Sequence, residues 1–157
     1  MNERPYQPAD LLCVVEVYGA SIRLLAAPYY TAEQLSAWAG PSIPDGAYWR
    51  QRLAPLHTIV AEHDDILVGF GSYEDDGHLD FLFTHPDFAR RGVATRLLQR
   101  IESAFRSAGV CRIFTEASLA ARPFFEHHGF QVDAEELIEC RGVQLRRFAM
   151  HKQIPNA

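Results

Sequence analysis

The sequence predicts an α/β fold in which a central mixed, mostly antiparallel sheet is flanked by helices. Two observations support this class. Helical periodicity dominates the first third of the chain, and three short runs rich in β-branched and aromatic residues follow, separated by turn signals. A helix, a strand, a second helix and a hairpin complete the pattern, and their order differs from that of a doubly wound fold.

The N-terminal region, residues 1–55, is predicted to be mainly helical. Residues 9–25 and 31–39 carry apolar side chains at helical spacing, and Thr31 is a typical N-cap for the second segment. The stretch PSIPDG at 41–46 has the composition of a loop between helices. Aromatic residues are concentrated in this region.

Residues 57–62, 66–74 and 78–85 are predicted to form three strands. The connections HDD and DDG are turn signals and are too short to hold a helix. Strands joined in this way pair with their sequence neighbours, so an antiparallel meander is expected.

A helix is predicted to follow Gly92 and to end at Gly109, a natural C-terminal stop. Its polar residues, Glu102 among them, are expected on the solvent face. The apolar residues that repeat at helical spacing are Val93, Ala94, Leu97, Leu98, Ile101, Ala104 and Phe105.

The remaining chain is predicted to form a strand at 110–117, a short helix within 119–129 and a closing hairpin over 130–151.

The 157 residues fit one domain, 1–157. A net charge of −5 disfavours nucleic acid as a partner. Three widely spaced cysteines, no signal-peptide pattern and no long apolar run predict a cytoplasmic protein without a membrane partner.

The stretch ARRGVATRLL at 89–98 places two arginines and a glycine at the start of the predicted helix. Amide groups at a helix N-terminus have no partner within the helix, so they attract anions. Arg90 and Arg91 add positive charge for a phosphate group. The amides predicted to face the anion are those of Gly92, Val93, Ala94 and Thr95.

Residues 57–152 resemble the GCN5-related N-acetyltransferase (GNAT) superfamily, in the style of bacterial acetyltransferases. The stretch LFTHPDFARRGVATRLL is similar to the family's coenzyme signature, and SLAARPFFEHHGF is similar to its second signature. The first match lies at His85, Pro86, Arg90, Arg91, Gly92, Val93 and Ala94. The second match lies at Ser118, Ala121, Phe124, Phe125, Gly129 and Phe130.

The resemblance implies acetyl-CoA as cosubstrate, bound by a core at 57–152 where two strands splay apart, with 1–55 on the acceptor side. Backbone groups near 82–84 would bind the pantetheine arm and the oxyanion. The coenzyme residues implied are Leu82, Phe83, Thr84, Arg90, Arg91, Gly92, Val93, Ala94, Thr95, Ser118, Ala121 and Phe125. Two departures stand out: Ala89 and Arg90 replace the family's Gln or Arg and glycine, and Phe125 replaces a proton-donating tyrosine.

The implied reaction is direct attack of a primary amine on the thioester. An alkylammonium with a pKa of about 10.4 is about 3.4 units above pH 7, so freeing the amine costs about 4.6 kcal/mol and requires a base. Asp80 is the preferred candidate, directly or through a water, and Glu116 and His78 are the alternatives. Water or the Ser118 hydroxyl would protonate the thiolate.

The acceptor is predicted to be a small cationic amine, since acidic residues surround the expected site. Its predicted contacts are Tyr30, Trp38, Trp49 and His78. Two alternatives stay open: an acyl-CoA-binding sensor without turnover, suggested by Phe125, and a peptide or protein N-acetyltransferase. The sequence has no metal-ligand motif, so no metal is expected. The resemblance also suggests a homodimer formed through the C-terminal strands, 131–152.

Overall fold

A seven-stranded sheet with the order β1-β2-β3-β4-β5-β7-β6 forms the centre of the computed structural model, which describes residues 1–155. Within this range the pairing is antiparallel throughout, except that β4 and β5 are parallel. The strands are β1 Asn2–Pro5, β2 His57–His63, β3 Ile66–Tyr73, β4 His78–Thr84, β5 Arg112–Ser118, β6 Gln131–Cys140 and β7 Val143–Gln153. The helices are α1 Leu11–Leu25, α2 Ala32–Ala39, α3 Gly46–Leu53, α4 Val93–Ser107 and α5 Arg122–His127.

The predicted meander, the long helix after Gly92 and the closing hairpin are confirmed. Strand β1 was not predicted, because NERP lacks the apolar alternation of a strand. It pairs antiparallel with β2. Arg4 stabilises the pair through hydrogen bonds to Glu62 and Asp10.

The two faces of the sheet carry different layers. Helices α1 and α3 cover one face, where Val14, Trp49, Phe70 and Phe81 form an apolar cluster. Helix α4 covers the other face, with Ile101 in its buried stripe. Each helix buries its apolar stripe against the sheet, so the meander is enclosed on both sides.

Two glycines of β3 allow helix α4 to pack closely against the sheet. A β-carbon at Gly69 would lie 2.6 Å from Cγ1 of Val93, and one at Gly71 would lie 2.7 Å from Cδ1 of Ile101. Atoms that close would clash, so only glycine allows the helix to approach the sheet so closely. The N-terminus of α4 is thereby fixed relative to the end of β4.

Glu102 was predicted on the solvent face of α4, and this prediction is wrong. Its residue is only 6% exposed, whereas the helical pattern placed it on the solvent face. Its carboxylate accepts a hydrogen bond from the Lys152 ammonium at 2.8 Å and lies 3.5 Å from the Arg106 guanidinium. A buried carboxylate needs such partners, and the ion pair joins α4 to β7.

Strands β4 and β5 separate after a short paired segment. Their parallel register covers only His78 with Phe114 and Leu79 with Thr115. The Thr115 hydroxyl closes the segment by donating to the carbonyl oxygen of Leu79 at 2.8 Å. The later residues of both strands line an opening in the sheet.

A β-bulge in β4 lies where the two strands begin to separate. Phe81 pairs with Ser72 of β3 and Leu79 pairs with Tyr73, so Asp80 has no opposite residue. A bulge re-aims a side chain. Here the Asp80 carboxylate reaches Arg52 on α3, beside the ring of Phe81.

Candidate active site

The opening between β4 and β5 forms a cleft of about 490 Å³, here named the coenzyme cleft. Its floor comes from the ends of both strands, and its walls come from α1, the loop before α4 and the start of α5. The predicted coenzyme residues that line it are Leu82, Phe83, Thr84, Arg90, Ala94, Ser118, Ala121 and Phe125.

The free edge of β4 presents backbone donors to this cleft. The N–H of His85 donates to the carbonyl oxygen of Val68 on β3 at 2.8 Å. Because donors alternate between the two edges of a strand, the N–H groups of Leu82 and Thr84 point away from β3. They face the opening, as required of donors to the pantetheine arm or the oxyanion.

The first turn of α4 supplies a second group of donors at the mouth of the cleft. Arg96 is the first residue whose N–H bonds within the helix, to the carbonyl oxygen of Gly92 at 3.0 Å. The preceding amides therefore have no partner within the helix. Gly92 has a φ of +84° and open space before its α-carbon. An anion can approach the backbone there.

The two arginines of the loop differ in position. Arg90 lines the coenzyme cleft and has a φ of +61°, the left-handed conformation that usually requires glycine. The loop thus has a glycine-like backbone although a bulky cation occupies the position. The Arg91 guanidinium lies over the ring of Phe88 at 5.2 Å. Neither arginine forms an ion pair with residues 1–155.

The other predicted coenzyme residues act through their backbone or pack internally. The Val93 side chain is buried beneath α4, so only its amide can serve a ligand. The Thr95 hydroxyl lies 3.2 Å from Nε2 of His128, the residue that directly follows α5. Burial lowers the pKa of the His128 imidazole below its usual value of 6.5. The imidazole is therefore mainly uncharged at neutral pH.

A second cleft of about 240 Å³, here named the acceptor cleft, adjoins the first. Trp38, Phe83 and Ser118 line both clefts. The predicted residues Tyr30, Asp80 and Glu116 line the acceptor cleft, so the sequence-predicted acidic groups lie together there. Ser118 stands where the two spaces meet.

Asp80 is bound by a residue that the sequence did not indicate. The Arg52 guanidinium contacts its two carboxylate oxygens at 2.8 and 2.9 Å. The Asp80 side chain is 13% exposed. Such a two-point bond is geometrically specific and fixes the orientation of the carboxylate. No sequence motif signals the pair, since the residues are 28 positions apart.

His78 lies between two carboxylates. Its Nε2 is 2.8 Å from Glu116 and its Nδ1 is 2.8 Å from Glu74. The hydrogen bonds to Glu116 and then Glu74 raise the pKa of the imidazole to about 9, against the opposing effect of burial. The ring is therefore an imidazolium at neutral pH and cannot serve as a base there.

Atoms of Glu74, His78 and Asp80 that could bind a metal ion lie within 4.8 Å of one another. Both ring nitrogens of His78 are, however, hydrogen-bonded to carboxylates.

Hydroxyl groups surround the junction of the clefts. The Tyr30 hydroxyl donates to the carbonyl oxygen of Arg146 at 2.7 Å and accepts from the N–H of Leu119 at 2.9 Å. The Ser118 hydroxyl oxygen accepts from the N–H of Ala121 at 3.1 Å, which leaves its proton free to donate. Phe125, which has no hydroxyl, is 4% exposed and lines the coenzyme cleft.

The other predicted acceptor contacts are placed differently. Trp38 is half-buried and lies against Tyr30 and Phe83. Trp49 is buried with Tyr18 and Phe81 in the cluster beneath α1 and does not line the acceptor cleft. His78 reaches that cleft only through Glu116.

Comparison with known proteins identifies the family. Residues 26–152 match the model of an acetyltransferase (GNAT) domain. The chain is 34% identical over 147 residues to an uncharacterized N-acetyltransferase, YafP, of Escherichia coli, covering 94% of this chain and 92% of that one. The chain therefore belongs to the GNAT family and is an acetyl-CoA-dependent N-acetyltransferase, which confirms the predicted family, activity and cosubstrate.

Solved structures show the same fold. A GCN5-related N-acetyltransferase from Rhodopseudomonas palustris superposes with a TM-score of 0.93 at 31% identity, covering 98% of this chain and 95% of that chain. The putative acetyltransferase yncA of Salmonella typhimurium, solved with acetyl-CoA, gives 0.70 at 20% identity, covering 100% and 95%. None of the helices within residues 1–155 has the length and hydropathy needed to cross a bilayer.

Proposed function

We propose that the protein transfers the acetyl group of acetyl-CoA to a primary amine that attacks the thioester directly. The observation that carries this proposal is the meeting of two clefts at Ser118 and Phe83 beside the free edge of β4. A thioester in one cleft and an amine in the other would come within reach of each other, which lowers the entropic part of the barrier.

Backbone N–H groups would bind acetyl-CoA, the acetyl donor. The amides at the start of α4, with Arg90, bind the pyrophosphate, and the N–H groups of Leu82 and Thr84 bind the pantetheine arm and the thioester oxygen. Donors fixed in place stabilise the charge that develops on that oxygen during attack. The new C–N bond forms as the C–S bond breaks, and Ser118 or water gives a proton to the departing thiolate.

Glu116 is the proposed proton acceptor, directly or through a water. Its side chain is 29% exposed, and a single ring nitrogen of His78 contacts its oxygens at 2.8 and 3.2 Å. Asp80 is more enclosed, and Arg52 binds both of its oxygens. The geometry thus favours Glu116 over Asp80, the candidate preferred from sequence. Asp80 then orients Arg52 at the edge of the acceptor cleft.

The proposed acceptor is a small amine that arrives as a cation. Glu116, which contacts no guanidinium, supports this charge preference. The three arginines of the same cleft are paired with carboxylates, Arg52 with Asp80, Arg146 with Glu135 and Arg147 with Glu136. The ammonium loses one proton to Glu116 before attack, and this step is the costlier proton transfer. The attacking nitrogen loses a second proton once the C–N bond has formed, and this proton replaces the one that Ser118 or water gives to the thiolate.

Two experiments test the function. Calorimetric titration of acetyl-CoA should give binding that the Arg90→Ala, Arg91→Ala double variant loses. Thiol release should then be measured with a panel of primary amines. Release with an amine, abolished in Glu116→Gln, supports the transferase. Tight coenzyme binding without release from any amine would favour the acyl-CoA sensor raised by Phe125, and release only with peptides would assign a peptide acceptor.

We further propose a cytoplasmic location and a homodimer. The location is supported by the odd number and wide spacing of the cysteines. The dimer is supported by the exposed outer edge of β6, the last strand in the sheet order. Fractionation of the cell and sedimentation of the purified chain test these points.

A further inference from the structure

A cavity larger than either cleft lies outside them. It measures about 840 Å³ and lies between α1, the α2–α3 loop and the turn after β6. We name it the distal chamber. Its lining includes Leu12, Pro41, Ser42, Pro44 and Tyr48, none of which belongs to the proposed coenzyme or acceptor machinery.

The distal chamber borders the acceptor cleft. Tyr18, Trp38 and Cys140 line both spaces, so one layer of side chains separates them. Small-molecule sites usually measure about 300–1,000 Å³. The acceptor cleft, at about 240 Å³, falls below this range, whereas the chamber lies within it. The acceptor cleft therefore has room for an amine head, and the chamber has room for a larger body.

Three of the four charged residues that line the chamber hold its walls, and the fourth, Glu16, is exposed on α1. Arg141 donates to the carbonyl oxygen of Ala37 at 2.6 Å, and Arg23 donates to that of Gly40 at 3.4 Å. Asp45 accepts from the backbone amides that open α3. These groups position the loop and α2, and the surface left to a ligand is largely that of rings and aliphatic side chains.

Aromatic rings form the wall opposite the loop. Tyr48 is 47% exposed and packs edge-on against Trp49, with ring centroids 5.7 Å apart. Tyr18 also packs edge-on against Trp49, at 4.7 Å. Edge and face contacts with such rings favour an aromatic ligand by about 0.5–1.5 kcal/mol beyond the area buried.

We propose that the distal chamber binds the aromatic body of the acceptor, whose primary amine extends past Trp38 into the acceptor cleft. This inference rests on the proposed function and defines its substrate class: an arylalkylamine is a better acceptor than an alkylamine of similar basicity. Leu12, exposed at the chamber mouth, would cover the outer face of the ring.

A pair of neighbouring loop positions allows a matched test. Ser42 lines the chamber, whereas Ile43 does not and is 84% exposed. Ser42→Trp should fill the chamber, and Ile43→Trp places the same ring on the solvent side. Acetylation of 2-phenylethylamine and of n-butylamine is followed by thiol release, and binding of 2-phenylethylamine to the coenzyme A-loaded protein is measured by calorimetry.

The expected result is that the wild type favours 2-phenylethylamine and that Ser42→Trp lowers its kcat/KM about tenfold, the ratio for about 1.4 kcal/mol. Activity on n-butylamine should stay within about twofold, and Ile43→Trp should change neither. Equal losses for both amines in Ser42→Trp, or no preference in the wild type, would overturn the inference. Binding of 2-phenylethylamine that Ser42→Trp abolishes, without turnover of any amine, would uphold the chamber and reject the transferase.

Discussion

Arg52 and Asp80 form a two-point ion pair across the acceptor cleft, with Nη1–Oδ2 and Nη2–Oδ1 distances of 2.8 and 2.9 Å. The guanidinium also lies 4.6 Å from the centroid of Phe81. Stacking and the paired hydrogen bonds fix the plane of the guanidinium. One of the two acidic residues of the cleft is thus bound to a guanidinium through both oxygens, whereas Glu116, the proposed base, contacts a single ring nitrogen of His78.

Glu116→Gln should lower kcat by about 10²–10⁴, the usual contribution of a general base. The affinity for acetyl-CoA should stay within about twofold, because Glu116 lines only the acceptor cleft. Asp80→Asn should have a smaller effect on kcat, and Glu74→Gln serves as a control at the outer carboxylate. Steady-state kinetics by thiol release checks all three. A larger loss in Asp80→Asn than in Glu116→Gln would assign the base to Asp80.

His78 should make stability depend on pH in the alkaline range. Its pKa is raised from 6.5 to about 9 in the folded chain, so the folded state favours the imidazolium. This stabilisation is complete below pH 6.5, the unfolded value, and is lost as the pH rises to about 9. Urea unfolding at pH 6, 7.5 and 9 should show the free energy of unfolding falling across this window.

His78→Gln should flatten that decline, because glutamine does not titrate. His63→Gln is the matched control, since the His63 side chain at the end of β2 is 44% exposed and contacts a single carboxylate, that of Asp64, beside the ring of Phe88. An equal slope in wild type and His78→Gln would show that the carboxylates do not hold a proton on this ring.

Arg90 has a backbone conformation that glycine adopts readily. Two substitutions distinguish the effect of its charge on binding from the effect of its backbone strain on stability. Both Arg90→Ala and Arg90→Gly remove the cation and should weaken acetyl-CoA binding alike. Arg90→Gly should be more stable than Arg90→Ala by about 1 kcal/mol, since only glycine adopts the φ of +61° without steric cost. Calorimetry and urea unfolding measure the two effects. Equal stabilities would show that the loop relaxes around alanine.

Ser118 is proposed to protonate the thiolate in place of the family tyrosine. Ser118→Ala should lower kcat by about tenfold or more, within the range of acid catalysis. Adding Phe125→Tyr to that variant should restore part of the rate, because Phe125 lines the coenzyme cleft at the position of the family tyrosine. Thermal unfolding of both variants controls for the lost bond to Ala121. No change in kcat for Ser118→Ala would leave protonation to water.

Strands β2 to β4 and the start of α4 could be predicted because their signals are local. Alternation and short turns define β2 to β4, and the ARRGVATRLL stretch carries its own glycine, charges and helical period. The acidic residues of the acceptor cleft were also identified, by their positions on β4 and β5.

Contacts between distant residues could not be predicted in this way. Glu102 is buried because Lys152 meets it from 50 positions away, and a helical pattern cannot show that partner. Arg52 binds Asp80 because of a bulge that has no signature in the sequence. Trp49 was predicted to contact the acceptor; it lines the distal chamber and not the acceptor cleft, and ring size alone does not show which space a ring borders.

The shared wall formed by Trp38 has a spectroscopic consequence. The chain has two tryptophans, and both line the distal chamber, but only Trp38 also borders the coenzyme and acceptor clefts. Replacing the buried Trp49 by phenylalanine would leave a single indole at the junction of all three spaces. Its emission would then follow the filling of each space without any added dye, so the order in which the two substrates enter could be read in real time.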